Sequence, residues 1–393
     1  MMIKRYLENK IFEDLKAKMV FISGPRQVGK TTLAKLLGNN YFDKKYEYLN
    51  WDARQDRRKI LDLAFEADKR LLIFDEIHKY KVWKNYLKGQ YDKYKEKCNI
   101  IVTGSARLDI FRKGGDSLLG RYHLYRLHPF SLAEVMDYNS SFVPFHELNF
   151  TNNTNKQSEI FNNLFKFGGF PEVFLSKNEK ELRRWHNERV DRLIKEDIRD
   201  IENLRDLSAL EVLVELLPSK VGSLFSLNSL REDLNTTHKT LSHWVDILEK
   251  FYYHFRIYPF NSNLIKSLRK EPKLYLWDWS EIKDDDIKLE NIVASHLLKF
   301  CNFIFDAEGY RLELYYLRDK EQREVDFLVT VDGKPWFSAE VKNSSKEISS
   351  HLKYFNEKLK IPFSYQIIKE EGIDILKDNI RVIDASKFLS GLI

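Results

Sequence analysis

"MVFISGPRQVGKTTLAKLL" (residues 19–37) joins a short apolar run to a glycine-bearing loop and then to a helical run. Residues 19–23 suit a buried strand, and "KTTLAKLL" suits a helix that starts where the loop ends. Between them "GPRQVGKTT" matches the spacing G-x-x-x-x-G-K-[ST], with Gly24, Gly29, Lys30 and Thr31 in the fixed places. Glycines let such a loop curl so that backbone N–H groups point inward at phosphate oxygens, and the following helix presents its positive N-terminus. The stretch Gly24, Pro25, Arg26, Gln27, Val28, Gly29, Lys30, Thr31 and Thr32 is therefore the expected phosphate cradle. Lys30 is expected to reach the β- and γ-phosphates, and the Thr31 hydroxyl to ligand Mg2+.

Working outward, "YEYLNWD" (46–52), "RLLIFDEI" (70–77), "NIIVTGSA" (99–106) and "YHLYRLHPF" (122–130) read as strands, with helical patterns such as "VWKNYLKGQYDKY" between them. That alternation predicts a parallel α/β sheet. "RLLIFDEI" ends in two acids. Asp75 at the strand tip is expected to hold Mg2+, and Glu76, pointing elsewhere, to polarise an attacking water as general base. A lone Asp-Glu pair is ordinarily a helix cap or a solvated turn; the phosphate loop upstream gives this one its chemistry.

On these residues, 1–136 resembles the ATPase core of the AAA+ superfamily, within the P-loop enzymes that carry a catalytic glutamate. The resemblance implies ATP and Mg2+ as ligands and a polar residue at a neighbouring strand tip that senses the γ-phosphate. "IIVTGSA" offers Thr103 and Ser105 for that role. An arginine finger, in cis or from a neighbouring subunit, is offered by Arg121 in "LLGRYH", and more weakly by Arg107. The plain alternative for Arg121 is a surface ion pair.

With 393 residues the chain is expected to form two to four domains, and its 43% hydrophobic content is that of a globular protein. No apolar run is long enough for a membrane span, and the charged start lacks a secretory h-region, which predicts a cytoplasmic protein. Two cysteines, Cys98 and Cys301, are too few for a disulfide framework or a zinc site. The net charge of +6 permits nucleic-acid contact without arguing for it.

Residues 137–207 read as a linker and helical lid region, with the Asn- and Ser-rich 137–159 as a flexible loop. Residues 208–262 have the rhythm of a winged helix: a helix ending before Pro218, "SLNSLREDL", the turn "NTT", then "HKTLSHWVDILEKFY" and a strand pair. Leu241, Val245 and Leu248 recur at helical spacing, and Trp244 reads as core. In DNA-binding versions the N-terminal end of the third helix enters the major groove. Here that end carries Thr237, His238, Lys239 and His243; the alternative is a purely structural joining domain.

The hairpin "REVDFLVTVDGKPWFSAEVKNS" (323–344) carries charges inside apolar strands. By strand parity Val325, Phe327, Val329 and Val331 share one face, and Phe337, Ala339 and Val341 share one on the second strand. Pairing both in one core predicts a three-residue loop over 332–334, with Asp326 opposite Glu340 and Lys342 alongside. The pattern D-(x13)-E-x-K resembles the PD-(D/E)XK nuclease superfamily, although Val325 stands where a proline is common. The resemblance implies acids that hold a metal, a lysine that orients the attacking water, and a further helix carboxylate, for which Glu290 in "KLENIVASHLLKFC" is the candidate. The alternative is a solvent-facing hairpin with an ion pair.

The expected architecture is thus a parallel-sheet α/β P-loop core (1–136), a lid region (137–207), a winged-helix-like domain (208–262) and a small α/β restriction-endonuclease-like domain (263–393). The complete order resembles a bacterial and archaeal ATPase family that pairs an AAA+ domain with a nuclease-like C-terminal domain. The leading expectation is an ATPase whose hydrolysis rearranges a DNA-binding or nuclease-like half, with DNA and a second copy of the chain as candidate partners. One alternative is a nucleotide-dependent switch that acts on a protein partner through an inactive tail. Another is an ATPase that regulates an active metal-dependent nuclease.

Overall fold

The computed structural model describes residues 3–66, 68–104, 118–138, 142–151, 155–198, 207–261, 270–344 and 347–393. The chain divides into two compact units, residues 1–128 and 129–393.

The first unit is built on five short strands, β1 (Met19–Ser23), β2 (Tyr46–Asn50), β3 (Leu71–Asp75), β4 (Asn99–Thr103) and β5 (Tyr122–Arg126). All neighbours pair in parallel, in the order β2-β3-β4-β1-β5. A parallel sheet is covered on both faces, so its central strands must be apolar throughout. β1 and β3 accordingly bury all their residues. Among the described residues, four α-helices, α1 (Glu8–Leu15), α2 (Lys30–Tyr41), α3 (Arg54–Asp62) and α4 (Trp83–Tyr94), connect and flank the strands. On one face Phe21, Phe74, Val102, Trp83 and Leu87 form a core. The insertion of β4 between β1 and β3 matters for function, because it sets Thr103 opposite both Ile22 and Asp75.

The second unit carries an eight-stranded mixed sheet. Its strands are β6 (His254–Pro259), β7 (Lys273–Leu276), β8 (Leu312–Arg318), β9 (Glu324–Val331), β10 (Lys334–Lys342), β11 (Phe363–Ile368), β12 (Asp374–Lys377) and β13 (Ile380–Asp384), in the order β12-β13-β11-β10-β9-β8-β6-β7. β8, β9 and β10 form an antiparallel meander, and β11 then lies parallel to β10. The long helix Asp285–Glu308 precedes the meander, and the helix Ser350–Leu359 sits between β10 and β11.

The division into compact units falls at 128/129, and the residues just beyond it pack within the second unit. There Lys299 Nζ lies 2.5 Å from Glu134 Oε2, both buried, and the Leu132 N–H donates to His296 Nε2 at 3.2 Å. The expected flexible loop over 137–159 is anchored at its described residues. Trp336 Nε1 donates to the His146 oxygen at 2.8 Å, Leu148 is buried, and a helix begins at Asn155. The boundary at 262/263 falls between β6 and β7, which pair antiparallel, so the winged stretch and the tail share one sheet. The helices expected there do form, at Leu207–Leu216, Leu227–Asp233 and His238–Lys250.

Candidate functional site

The phosphate-loop residues lie where β1 ends and α2 begins. Gly24 has φ +146°, and a Cβ there would stand 2.3 Å from the Leu127 carbonyl oxygen. Only glycine lets the loop pass that close to the end of β5. Gly29 caps α2 at φ +98°, so the first turn of the helix leaves its N–H groups facing the loop without helical acceptors. Lys30 is buried and donates to the carbonyls of Gly24 at 2.9 Å and Pro25 at 2.7 Å, folded back across the loop it closes.

Asp75 gathers the other elements. Its carboxylate accepts from Thr31 Oγ1 at 2.8 Å, Tyr48 Oη at 2.8 Å and Thr103 Oγ1 at 2.6 Å. Three strands and the first turn of α2 thus meet on one buried acid. Burial, followed by the bond to Asp75, raises the Tyr48 phenol well above its usual range, so the hydroxyl stays a donor.

Glu76 follows in left-handed backbone (φ +55°). Its carboxylate lies 3.5 Å from His78 Nε2 and 3.6 Å from Lys79 Nζ. Burial raises its affinity for a proton above the ordinary carboxylate range, with Lys79 opposing.

Arg121 does not face the loop of its own chain. It precedes β5, its carbonyl accepts from the N–H of Met19 at the start of β1, and its guanidinium pairs with Asp92 at 2.9 and 3.1 Å. Since β1 runs from Met19 toward the loop, Arg121 lies at the opposite end of the strand. The surface ion pair is what forms, and the in-chain finger is corrected accordingly. Ser105 and Arg107 fall outside the described residues. Arg5 was not foreseen: buried, it donates to the carbonyls of Val28 at 2.6 Å and His128 at 2.5 Å.

In the second unit, the hairpin turn has two residues, Asp332 (φ +50°) and Gly333 (φ +76°), with Val331 opposite Lys334. The expected three-residue loop is therefore corrected. Such a turn suits a tight hairpin but would send the acids to the wrong face. A bulge between Pro335 and Phe337 restores the expected register, so that Phe337 pairs Val329 and Ala339 pairs Phe327. A second irregularity, between β8 and β9, gives β9 an extra residue at Asp326–Phe327. The parity reading fails at that point. Val325 packs with Leu328, Leu352 and Phe355, while Phe327 lies against Tyr275, with ring centroids 5.8 Å apart. Both faces of β9 are buried from Phe327 onward, which also removes the solvent-facing hairpin.

The re-aimed Asp326 meets a residue that sequence reasoning passed over. Lys273 on β7 is 3% exposed, with Nζ 2.7 Å from Glu324, 3.0 Å from Asp326 and 3.3 Å from Glu290. Tyr275, two residues along, donates to Glu290 Oε1 at 2.7 Å, and the Val341 N–H donates to the other Asp326 oxygen at 3.0 Å. Glu340 is buried and pairs with the exposed Lys342 at 2.8 Å, and its Oε2 has no partner. Burial first, then the charge of Asp326, pushes both Glu290 and Glu340 up to about 7. The alternation K-L-Y-L in 273–276, a lysine inside an apolar strand, was the available signal. Among the described residues, no group of three or more His, Cys, Asp or Glu side chains is arranged to hold a metal ion. The expected DNA-facing residues Thr237, His238, Lys239 and His243 are exposed, while Trp244 is buried with Leu241, Val245 and Leu248.

Residues 16–136 match the family model of an AAA domain; 158–280 and 287–388 match two domains of unknown function (DUF8612 and DUF4143). The first unit is thus an AAA-type P-loop domain. An uncharacterized protein of Methanocaldococcus jannaschii is 27% identical over 79% of this chain and 72% of its own length. One of Mycobacterium tuberculosis is 24% identical over 84% of this chain and 71% of its own length. Among solved structures, the Thermotoga maritima RuvB Holliday junction branch migration motor is similar with TM-score 0.32 and 15% identity, over 65% of this chain and 90% of that one. The Aeropyrum pernix ORC1 protein in complex with DNA has TM-score 0.35 and 10% identity, over 75% and 94%. Among the described residues, no helix is long and apolar enough to cross a membrane.

Proposed function

We propose that the protein is a Mg2+-dependent ATPase in which Glu76 is the general base and Lys30 and Thr103 contact the terminal phosphates. The observation that carries this reading is the hydrogen bond of 2.8 Å between the Thr31 hydroxyl and Asp75, which joins the phosphate loop to the acidic strand tip. A hydroxyl and a carboxylate side by side are the donor set that a hard cation takes, so these residues fit Mg2+. Bound there with ATP, Mg2+ would neutralise charge on the β- and γ-phosphates. The loop amides and Lys30 orient the phosphates. Glu76, whose proton affinity burial raises, accepts a proton from water. Arg121 is engaged with Asp92 at the far end of the sheet, which leaves Arg107 or a second copy of the chain as the proposed source of any arginine finger.

For the second unit we propose a nuclease-like tail behind a winged-helix-like stretch. The helix bearing Glu290, the meander bearing Asp326, and β10 bearing Glu340 and Lys342 supply the residues in the order that this reading requires. DNA is the proposed target, through the exposed start of the helix His238–Lys250. For the tail itself, Lys273 among the carboxylates favours the second reading, a nucleotide-dependent switch whose tail does not cleave.

Turnover tests the first proposal. Glu76→Gln is expected to keep ATP affinity and lose about 100-fold or more in rate, whereas Lys30→Ala loses affinity as well. Full turnover by Glu76→Gln would remove it as the base. Stimulation of turnover by DNA supports the DNA-coupled reading, and its absence favours the protein-directed switch.

A further inference from the structure

We propose that Lys273 is the resident cation of the tail's carboxylate pocket, seated where a divalent ion would have to lie between Glu290 and Asp326, so that the native tail takes up no divalent metal. This deepens the switch reading and rests on its non-cleaving tail.

Two acids facing each other across a strand pair need a positive charge between them. The sequence suggests a metal; the structure supplies an ammonium from β7, at the end of the same sheet. Lys273 contacts three carboxylates within 3.3 Å and has almost no exposure. Burial would drive the proton off, but the carboxylates Asp326, Glu290 and Glu324 outweigh it and hold the charge there.

Oxygens of Glu290 and Asp326 are already engaged. Glu290 Oε1 takes both Lys273 and the Tyr275 hydroxyl, while Asp326 takes Lys273 on one oxygen and the Val341 N–H on the other. Gly222 lies beside Glu290 Oε2, which would stand 3.2 Å from a Cβ at that position. A divalent ion bound to both acids would sit within a few ångströms of the ammonium, and charges of like sign that close exclude each other. Glu290, Asp326 and Lys273 therefore do not form the open, acid-only set that a hard cation prefers.

The test is Mn2+ binding to the full chain without nucleotide, read by electron paramagnetic resonance of free Mn2+ and by the shift in unfolding midpoint. The native chain is expected to bind none in the tail. Lys273→Met is expected to gain Mn2+ binding that the native tail lacks, with a rise in its midpoint, both lost in Lys273→Met with Asp326→Asn. Should Lys273→Met not fold, Lys273→Gln is read in the same way. Native binding that Asp326→Asn abolishes would overturn the proposal, and so would a folded Lys273 variant indifferent to Mn2+. DNA cleavage by a native chain that binds no Mn2+ would sink the non-cleaving reading and leave the Lys273 assignment standing.

Discussion

Arg5 spans two carbonyls that lie far apart in sequence: Val28 within the phosphate loop and His128 just past β5. A guanidinium offers several donors in a fixed fork, so one buried side chain can hold both oxygens at once. A Cβ on Gly29 would stand 3.2 Å from Arg5 Nη1, so the arginine packs directly against the loop glycine that caps α2. We therefore expect Arg5 to position the loop. Arg5→Lys keeps the charge but cannot reproduce the fork, leaving one buried carbonyl without its donor. The expected cost is about 1–3 kcal/mol in urea unfolding, with weaker ATP binding and little change in the rate at saturating ATP. Unchanged ATP affinity would reduce Arg5 to a structural clamp. Arg5→Ala should lose more on both counts, because the charge and the packing go together.

At the scale of elements, what could be read from sequence was what is local. The strand–loop–helix around Lys30 and the strand ending in Asp75–Glu76 are contiguous patterns, and they fold as read. Tyr48, Arg5, Lys273 and Tyr275 reach their sites through pairings between distant strands and segments, which periodicity does not encode. The hairpin is the instructive case. Its turn is one residue shorter than parity requires, and the bulge at Trp336 returns the missing residue, so the register beyond it agrees with a loop that is not there. An extra residue of this kind bends a strand and re-aims its neighbours. Deleting Trp336 should let the two-residue turn propagate its own register, carrying Glu340 and Lys342 to the opposite face. The expected result is loss of cooperative unfolding in residues 129–393, seen in urea titration by near-UV circular dichroism. Trp336→Phe keeps the bulge and removes only the N–H donated to His146, so it should cost about 1–3 kcal/mol and stay cooperative. A deletion variant that unfolds like the substitution would show that the bulge does not set the register.

Taken whole, the molecule keeps two buried acidic centres by opposite means. In the first unit Asp75 accepts hydrogen bonds from three hydroxyls, those of Thr31, Tyr48 and Thr103. In the second, the acids around Lys273 outnumber the nearby ammonium groups, and the excess appears as Glu290 and Glu340 both pushed up to about 7 by burial and by Asp326. Linkage turns this into a pH dependence with a definite sign. An unfolded glutamate titrates near about 4.3, so between that value and about 7 the folded chain binds protons that the unfolded chain has released. The stability contributed by holding them is fully present below the unfolded value and is lost as pH rises through the folded one. For one such glutamate the loss is roughly 4 kcal/mol. Unfolding of residues 129–393 should therefore weaken in urea midpoint from pH 5 to pH 8, against the trend set by ion-paired carboxylates elsewhere. Glu340→Gln, which is neutral at every pH, should flatten that slope while leaving the contacts of Lys273 with Glu290 and Asp326 in place. A native slope that Glu340→Gln leaves unchanged would mean that the proton is held elsewhere, and the charge balance drawn around Lys273 would have to be redrawn.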